Sequence, residues 1–320
     1  MIRYLVTGCG GFLGSQVCTE LLAAGNRVIG VDSFATELYP SAPKRSRVTA
    51  LESDLGFEFI QLDLRETSLA PYVGGVTAVL HFAALAGLLP GGRYDAAYHE
   101  HDVTATRNVL EAIAGTGVHL VHASTSSVYG SMAVGDESTP IAPISVYGRS
   151  KADAERLIAD YHADGAITAT VLRLFSAYGP GQRPDMAYAV ACRAMLRGDP
   201  MTIYGDGSQT RSNTYVTDVA RAATLSAELR PHVTLNIAGD QSIRLIDALT
   251  ILGSELGVEP RFEFLPSRPG DQVSSHGQTS LAREALGWSP SVDIRTGLRS
   301  QADWFRTHWD TETAEGAIHG

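Results

Sequence analysis

Ile2-Arg3-Tyr4-Leu5-Val6-Thr7-Gly8-Cys9-Gly10-Gly11-Phe12-Leu13-Gly14, continuing through Ser15 to Ala24, is the stretch whose reading decides the fold. An apolar run of strand length feeds a glycine-rich turn, which opens into a helical pattern with Val17, Leu21 and Leu22 on one face. Glycines belong in such a turn because backbone N–H groups at a helix N-terminus meet a pyrophosphate only where no Cβ intervenes. A second strand, 27–31, ends in Asp32, placed to meet the hydroxyls of an adenosine ribose. Its negative charge would repel the extra phosphate of NADP, so the expected cofactor is NAD. The spacing Gly8, Gly11, Gly14 differs from the dehydrogenase pattern, in which the second glycine lies two after the first. A glycine-rich turn alone is an ordinary tight turn; two strands, a helix and a terminal Asp around it make it a dinucleotide loop. Gly8, Gly11, Phe12, Leu13, Gly14 and Asp32 are therefore the first candidate cofactor contacts.

The 320 residues allow one large α/β domain with a smaller one appended. Hydrophobic residues make up 44% and charged ones 19%, as in ordinary globular enzymes. A net charge of −10 with no basic stripe argues against a nucleic-acid partner. Cys9, Cys18 and Cys192 are too few and too scattered for a disulfide framework or a zinc site, and read as reduced thiols. Strand residues follow Met1 at once and no apolar run has membrane-spanning length, so the expectation is a cytoplasmic protein without a membrane partner.

Past Asp32, the cluster Lys44, Arg45 and Arg47 reads as a solvated face. A third strand, 57–61, leads to Asp63 and Leu64, which would lie beside the adenine. A fourth, 76–82, ends in small residues, Ala83 and Ala84, that let the chain pass close under a ligand; His81 reads as structural. A helix is expected over 94–114. On it Asp95, His99 and Asp102 fall at i, i+4 and i+7, but such a polar set is more commonly a solvated face, and no metal is assigned. The fifth strand, 118–123, runs into Ser124-Thr125-Ser126-Ser127-Val128-Tyr129-Gly130, four consecutive hydroxyls at the end of a central strand. A loop, 131–144, precedes a helix from 145 to about 164, on which Tyr147 and Lys151 share a face. An ammonium beside a tyrosine favours the phenolate, the form that can take a proton. After a sixth strand, 168–175, two glycines and two prolines turn the chain out of the sheet. The expected division is a Rossmann-type doubly wound parallel sheet over 1–175, to which 212–238 return, a smaller α/β substrate domain from 176–211 and 239–310, and a tail over 311–320.

With these motifs in place, the chain resembles the extended short-chain dehydrogenase/reductase superfamily, specifically its nucleotide-sugar epimerases and dehydratases. The resemblance includes Tyr215-Val216-Thr217-Asp218-Val219-Ala220 and Arg268-Pro269-Gly270-Asp271. In 4,6-dehydratases of that family the loop after the Thr carries an Asp–Glu pair, and in UDP-glucuronate decarboxylases a Glu stands at the place of Ser127. Ser126 and Ser127 occupy both acid positions here, so the resemblance points to a 4-epimerase. Arg183-Pro184-Asp185-Met186-Ala187 and the hydroxyl run are similar to those of UDP-glucuronate 4-epimerases.

What the resemblance implies is NAD-dependent C4 epimerisation of a UDP-sugar, UDP-glucuronate to UDP-galacturonate, in a homodimer. Tyr147 would be the base, Lys151 its partner on the nicotinamide ribose, and Thr125, with Ser124 as second candidate, the group on the C4 oxygen. Ser126, Ser127 and Ser176 would cradle the carboxylate, with Arg183 as charge partner or as a residue packing at the hinge, the two being evenly balanced. Arg211 and Arg268 would meet the diphosphate. UDP-glucose or UDP-N-acetylglucosamine 4-epimerisation, and a catalytically silent NAD-binding regulator, remain as alternatives.

Overall fold

Seven parallel strands organise the molecule, in a computed structural model that describes residues 1–87, 94–267 and 272–308. The chain runs through β1 (Arg3–Thr7), α1 (Phe12–Ala23), β2 (Arg27–Asp32), α2 (Ala42–Leu51), β3 (Phe57–Gln61) and β4 (Ala78–His81). It continues through α3 (Asp95–Tyr98), a π-helical turn (His99–Thr104), α4 (Ala105–Ile113), β5 (His119–Thr125), β6 (Met132–Gly135), α5 (Val146–Ala163) and β7 (Thr168–Leu174). Then come β8 (Ala177–Tyr178), α6 (Ala187–Arg197), β9 (Met201–Tyr204), β10 (Thr210–Ser212), β11 (Thr214–Tyr215), α7 (Val216–Leu229) and β12 (Val233–Ile237). The last elements are β13 (Ser242–Arg244), α8 (Leu245–Leu256), β14 (Phe262–Leu265), β15 (Ser274–Gly277), α9 (Ser280–Leu286) and α10 (Ile294–Thr307).

The large sheet has the order β12-β7-β5-β4-β1-β2-β3. Its strands are apolar on both faces because helices cover both. Leu5, Ile29, Val79, Leu120 and Val171 pack on one side against Val109 and Ile113 of α4 and Ile158 of α5. Val6, Val28, Leu80, Val121 and Leu172 pack on the other against Val17 and Leu21 of α1 and Val219 and Ala223 of α7. The strand order reverses between β1 and β4, and a cleft opens at the carboxyl ends there, as the topology of such sheets requires. This is the expected doubly wound architecture.

A third core, with Tyr178, Ile203, Leu252, Leu298 and Phe305, gathers α6, α8 and α10 into a lobe over that cleft. Asp218 on α7 anchors the chain entering this lobe. Its carboxylate accepts from the Ser291 and Val292 amides at 3.0 and 3.1 Å, and its carbonyl accepts from Trp288 Nε1 at 2.9 Å. Among the described residues no helix is long and apolar enough to cross a membrane.

Three local readings change. The helix expected over 94–114 is interrupted by the π-helical turn, so residues 95, 99 and 102 lose their common face; among the described residues no three His, Cys, Asp or Glu side chains are grouped for a metal. The loop expected over 131–144 contains β6, which pairs with β15 some 140 residues on. Residues 210–215 do not rejoin the large sheet: β10 pairs with β13 and β15, and β11 with β8. Pairings with distant partners leave no periodicity in so short a segment.

Candidate active site

The cleft begins at the glycine turn. Gly8 has φ +71°, and a Cβ there would stand 2.7 Å from the Ala83 amide nitrogen; one on Gly14 would stand 2.1 Å from the Gly8 carbonyl oxygen. Both contacts are with backbone, so neither position admits a side chain. Gly11 caps α1 with no side-chain hydrogen bond and with no acid in the first turn, which leaves the first amides of the helix facing the cleft. That is an anion site by construction. Asp32 is buried, accepting from the Gly10 amide on one carboxylate oxygen (3.0 Å) and the Phe34 amide on the other (2.8 Å), so each oxygen keeps a lone pair for a hydroxyl. Gly11, Phe12, Leu13, Asp63, Leu64, Ala83 and Ala84 line the same cleft. A tight glycine turn, an uncapped helix end and a fixed carboxylate fit a dinucleotide.

The basic cluster is a solvated face only at Arg45, which is exposed; Lys44 and Arg47 are half-buried. Lys44 lines the cleft, donates to the Ala35 carbonyl and lies 4.6 Å from the Tyr39 ring centroid, while Arg45 stacks on Phe34 at 4.3 Å. Arg47 donates to the Gly10 carbonyl (3.1 Å) and the Gly181 carbonyl (2.7 Å), tying the glycine turn to the segment after β8. The sequence offers no sign of this, because α2 meets those carbonyls only after folding.

At the other end of the cleft stand Ser124, Thr125, Tyr147, Lys151, Ser176 and Arg183. Ser145 caps α5, accepting from the Gly148 amide at 3.0 Å, and so fixes the turn that carries Tyr147 and, four residues on, Lys151. Thr125 ends β5, accepts from the Ser127 amide (3.1 Å) and is hydrogen-bonded to the Tyr147 hydroxyl. Burial pushes that hydroxyl well above the usual tyrosine range and the Asp102 carboxylate adds to the rise, against the pull of Thr125 and Arg183. The direction is opposite to that expected from Lys151 alone. Lys151 is buried, which lowers its pKa, while Asp102 and Glu155 oppose the fall.

Several candidates sit differently. The Ser124 hydroxyl donates to Glu155, which forms a buried ion pair with Arg173 at 2.7 Å. Ser126 and Ser127 do not line the cleft; the Ser126 carbonyl accepts from Gln272 Nε2 (3.0 Å), and the Ser127 hydroxyl accepts from Thr125 (3.2 Å). Arg211 also lies off the cleft, donating to the Thr210 and Gln272 carbonyls at 2.8 and 2.6 Å. Arg268 falls outside the described residues. Arg183 lines the cleft and holds Asp185 through two bonds, 3.0 and 2.8 Å. Ser176 stands at φ +26°, a strained value for a residue with a side chain.

Sequence reasoning missed Asp102 as part of this site. It is buried, accepts from the Leu85 amide (3.0 Å) and the Ser150 hydroxyl (2.5 Å), and is the acid whose charge reaches both Tyr147 and Lys151. The available signal was an acid one helical turn from Tyr98.

Comparison with known proteins agrees with this geometry. The model of the NAD dependent epimerase/dehydratase family matches residues 4–238. The UDP-glucuronate 4-epimerase of Thermodesulfobacterium geofontis is 32% identical over 310 residues, covering 94% of this chain and 95% of that protein. The crystal structure of UDP-glucuronic acid 4-epimerase from Bacillus cereus in complex with UDP-glucuronic acid and NAD superposes with a TM-score of 0.91 at 33% identity, over 96% of this chain and 99% of that one. MoeE5 in complex with UDP-glucose and NAD superposes with a TM-score of 0.85 at 35% identity, over 96% and 99%.

Proposed function

The chain belongs to the NAD dependent epimerase/dehydratase family, and from that premise we propose that it interconverts UDP-glucuronate and UDP-galacturonate by epimerisation at C4. One observation carries the choice of an acidic sugar. The reacting end of the cleft is lined by hydroxyls and two cations, Lys151 and Arg183; among the described residues the acids on its surface, Asp32 and Asp63, belong to the adenosine end, while Asp102 and Asp185 stand behind the two cations. A carboxylate on the sugar takes a charge-assisted bond from Arg183 there, where a neutral sugar takes only an ordinary hydrogen bond.

Gly8, Gly11, Phe12, Leu13, Gly14 and Asp32 hold the dinucleotide, with Asp63, Leu64, Ala83 and Ala84 along its length. When bound, NAD supplies a hydride acceptor that gives the hydride back to the same carbon. As the phenolate, and against the rise that burial and Asp102 impose on its hydroxyl, Tyr147 takes the C4 hydroxyl proton as the C4–H bond breaks, and returns it when the 4-keto sugar is reduced on its other face. Thr125 holds the C4 oxygen and the Tyr147 oxygen in one hydrogen-bonded set. Lys151 supplies positive charge beside that set. Ser124, committed to Glu155, acts as a support for the strand end. Ser176 and Arg183 bind the carboxylate, and a donating environment keeps that carboxylate on the β-keto acid intermediate. The diphosphate contacts in this reading are Arg211 and Arg268, proposed on the family resemblance alone, with the lobe formed by 176–211 and 239–310 as the substrate domain. The same reading includes a homodimer formed through the helical segments 94–114 and 145–164 and a cytoplasmic location.

The similarity to MoeE5, crystallised with UDP-glucose, supports a second reading in which neutral UDP-sugars are also turned over. Proton NMR of the purified protein with UDP-glucuronate, without added NAD and beside UDP-glucose, separates the two. UDP-galacturonate without any pentose supports the proposal; a pentose product or turnover of UDP-glucose alone overturns it. Arg183→Ala is expected to raise KM for UDP-glucuronate at least tenfold more than for UDP-glucose, and Tyr147→Phe to abolish turnover with NAD still bound.

A further inference from the structure

We propose that Glu37, Arg65 and His101 form a clasp across the adenosine end of the cleft and set the rate at which NAD leaves. The proposal rests on NAD binding but not on the identity of the sugar. The three side chains come from separate connections: the loop after β2, the loop after β3 and the π-helical turn before α4. Arg65 NH1 lies 3.3 Å from Glu37 Oε1 and 2.9 Å from His101 Nε2, which in turn lies 3.0 Å from Glu37 Oε1. The other edge of the guanidinium holds Asp63, through Nε at 3.0 and 3.1 Å and NH2 at 2.6 Å. Asp63, Arg65 and His101 line the cleft, and so do Leu38 and Tyr39 beside Glu37.

His101 Nε2 faces a group that can only donate and a group that can only accept. With a proton on Nε2 it donates to Glu37; without one it accepts from Arg65, while Arg65 still reaches Glu37. Either tautomer therefore leaves the three loops joined. Glu37 Oε2 is buried and has no hydrogen-bond partner among the described residues. Glu37 stands behind the cleft lining, so the clasp meets the adenosine end through Asp63, Arg65 and His101. An epimerase ends each cycle with its cofactor in the starting redox state, so slow release costs no turnover.

The clasp ties connections and not strands, so its loss should leave the sheet registers intact and change NAD release alone. The test is exchange of bound NAD for isotopically labelled NAD in the purified holoprotein, without sugar, followed by mass spectrometry. Glu37→Gln and His101→Leu are each expected to speed exchange roughly five- to tenfold. The double variant should add little, because the contacts act as one unit. High salt should speed exchange in the parent protein and much less in Glu37→Gln. Thermal midpoints of the NAD-free proteins should agree within about 2 °C, since these partly buried pairs join connections and the sheet registers do not depend on them. Unchanged exchange in both variants, multiplicative effects in the double variant, or a matching loss of stability in the NAD-free proteins would each overturn the clasp. A sugar other than UDP-glucuronate would leave it standing.

Discussion

Replacing His122 with Leu should flatten the response of the fold to acid, by an amount that follows from burial. His122 lies on β5 beside His81 of β4, ring centroids 5.5 Å apart, and both are fully buried under the reacting end of the cleft. His81 is bonded to Thr7 (2.7 Å) and Thr106 (3.1 Å), whereas neither ring nitrogen of His122 has a hydrogen-bond partner among the described residues. Burial holds His81 down to about 3, with Lys151 adding to the fall, and holds His122 well below the usual histidine range for the same reasons. An unfolded histidine titrates near 6.5. Between pH 7.5 and 5 the unfolded chain therefore takes up a proton at position 122 that the folded chain refuses, and stability falls with pH by about 2 kcal/mol for this residue. His81, and His119 at about 4, contribute in the same sense, while Asp102, raised by burial, works against them. Glu37 and Asp63, held low, lose their contribution only below the unfolded carboxylate range, outside this window. Chemical denaturation at pH 7.5 and 5 should show the parent losing about 2 kcal/mol more than His122→Leu. At pH 7.5 the variant should be as stable as the parent or more so, because it removes a buried polar group that nothing satisfies. Parallel pH dependences would refute the reasoning.

Two further outcomes follow from the cleft. Gly14→Ala drives a Cβ against the Gly8 carbonyl, so α1 must retreat from the glycine turn; NAD should be absent from the purified protein and stability lower by about 1–3 kcal/mol, and wild-type NAD stoichiometry would contradict this. Asp102→Asn removes a charge that raises the Tyr147 hydroxyl, so the acid limb of the kcat profile should move to lower pH, and a limb that stays in place would take Asp102 out of that role.

The phosphate turn, Asp32 and the Tyr147–Lys151 spacing were legible because each is local: a strand, a turn and a helix declare themselves within a few residues. The same holds for the strand at 57–61, whose bounds match the expectation. What escaped were contacts made by folding. Arg47 reaches Gly181 across 134 positions, and Arg65 meets His101 across 36. Asp102 looked like a solvated acid because helical periodicity assumes a regular helix, and the π-helical turn rotates it inward. The Ser124 hydroxyl looked available because sequence shows neighbours in the chain and not Glu155 on the covering helix.

Arg183 tests how far charge alone can choose a substrate. Its guanidinium already holds Asp185 through Nε and NH2, and this acid does not line the cleft. A guanidinium has five N–H groups in a fixed plane, and the bidentate pair uses two of them. The remaining edge is free to donate to a second carboxylate without breaking the first pair. Asp185 thereby fixes the plane and direction of Arg183 before any sugar arrives, so that little side-chain freedom is lost on binding. The same pairing lowers the net charge at that site, which leaves discrimination between an acidic and a neutral sugar to hydrogen-bond direction as much as to attraction. Asp185→Asn should accordingly strengthen the local positive charge and yet weaken binding of UDP-glucuronate, because the arginine loses its fixed orientation. Isothermal titration with both UDP-sugars reads this directly, and tighter binding of UDP-glucuronate to the variant would show that attraction outweighs orientation.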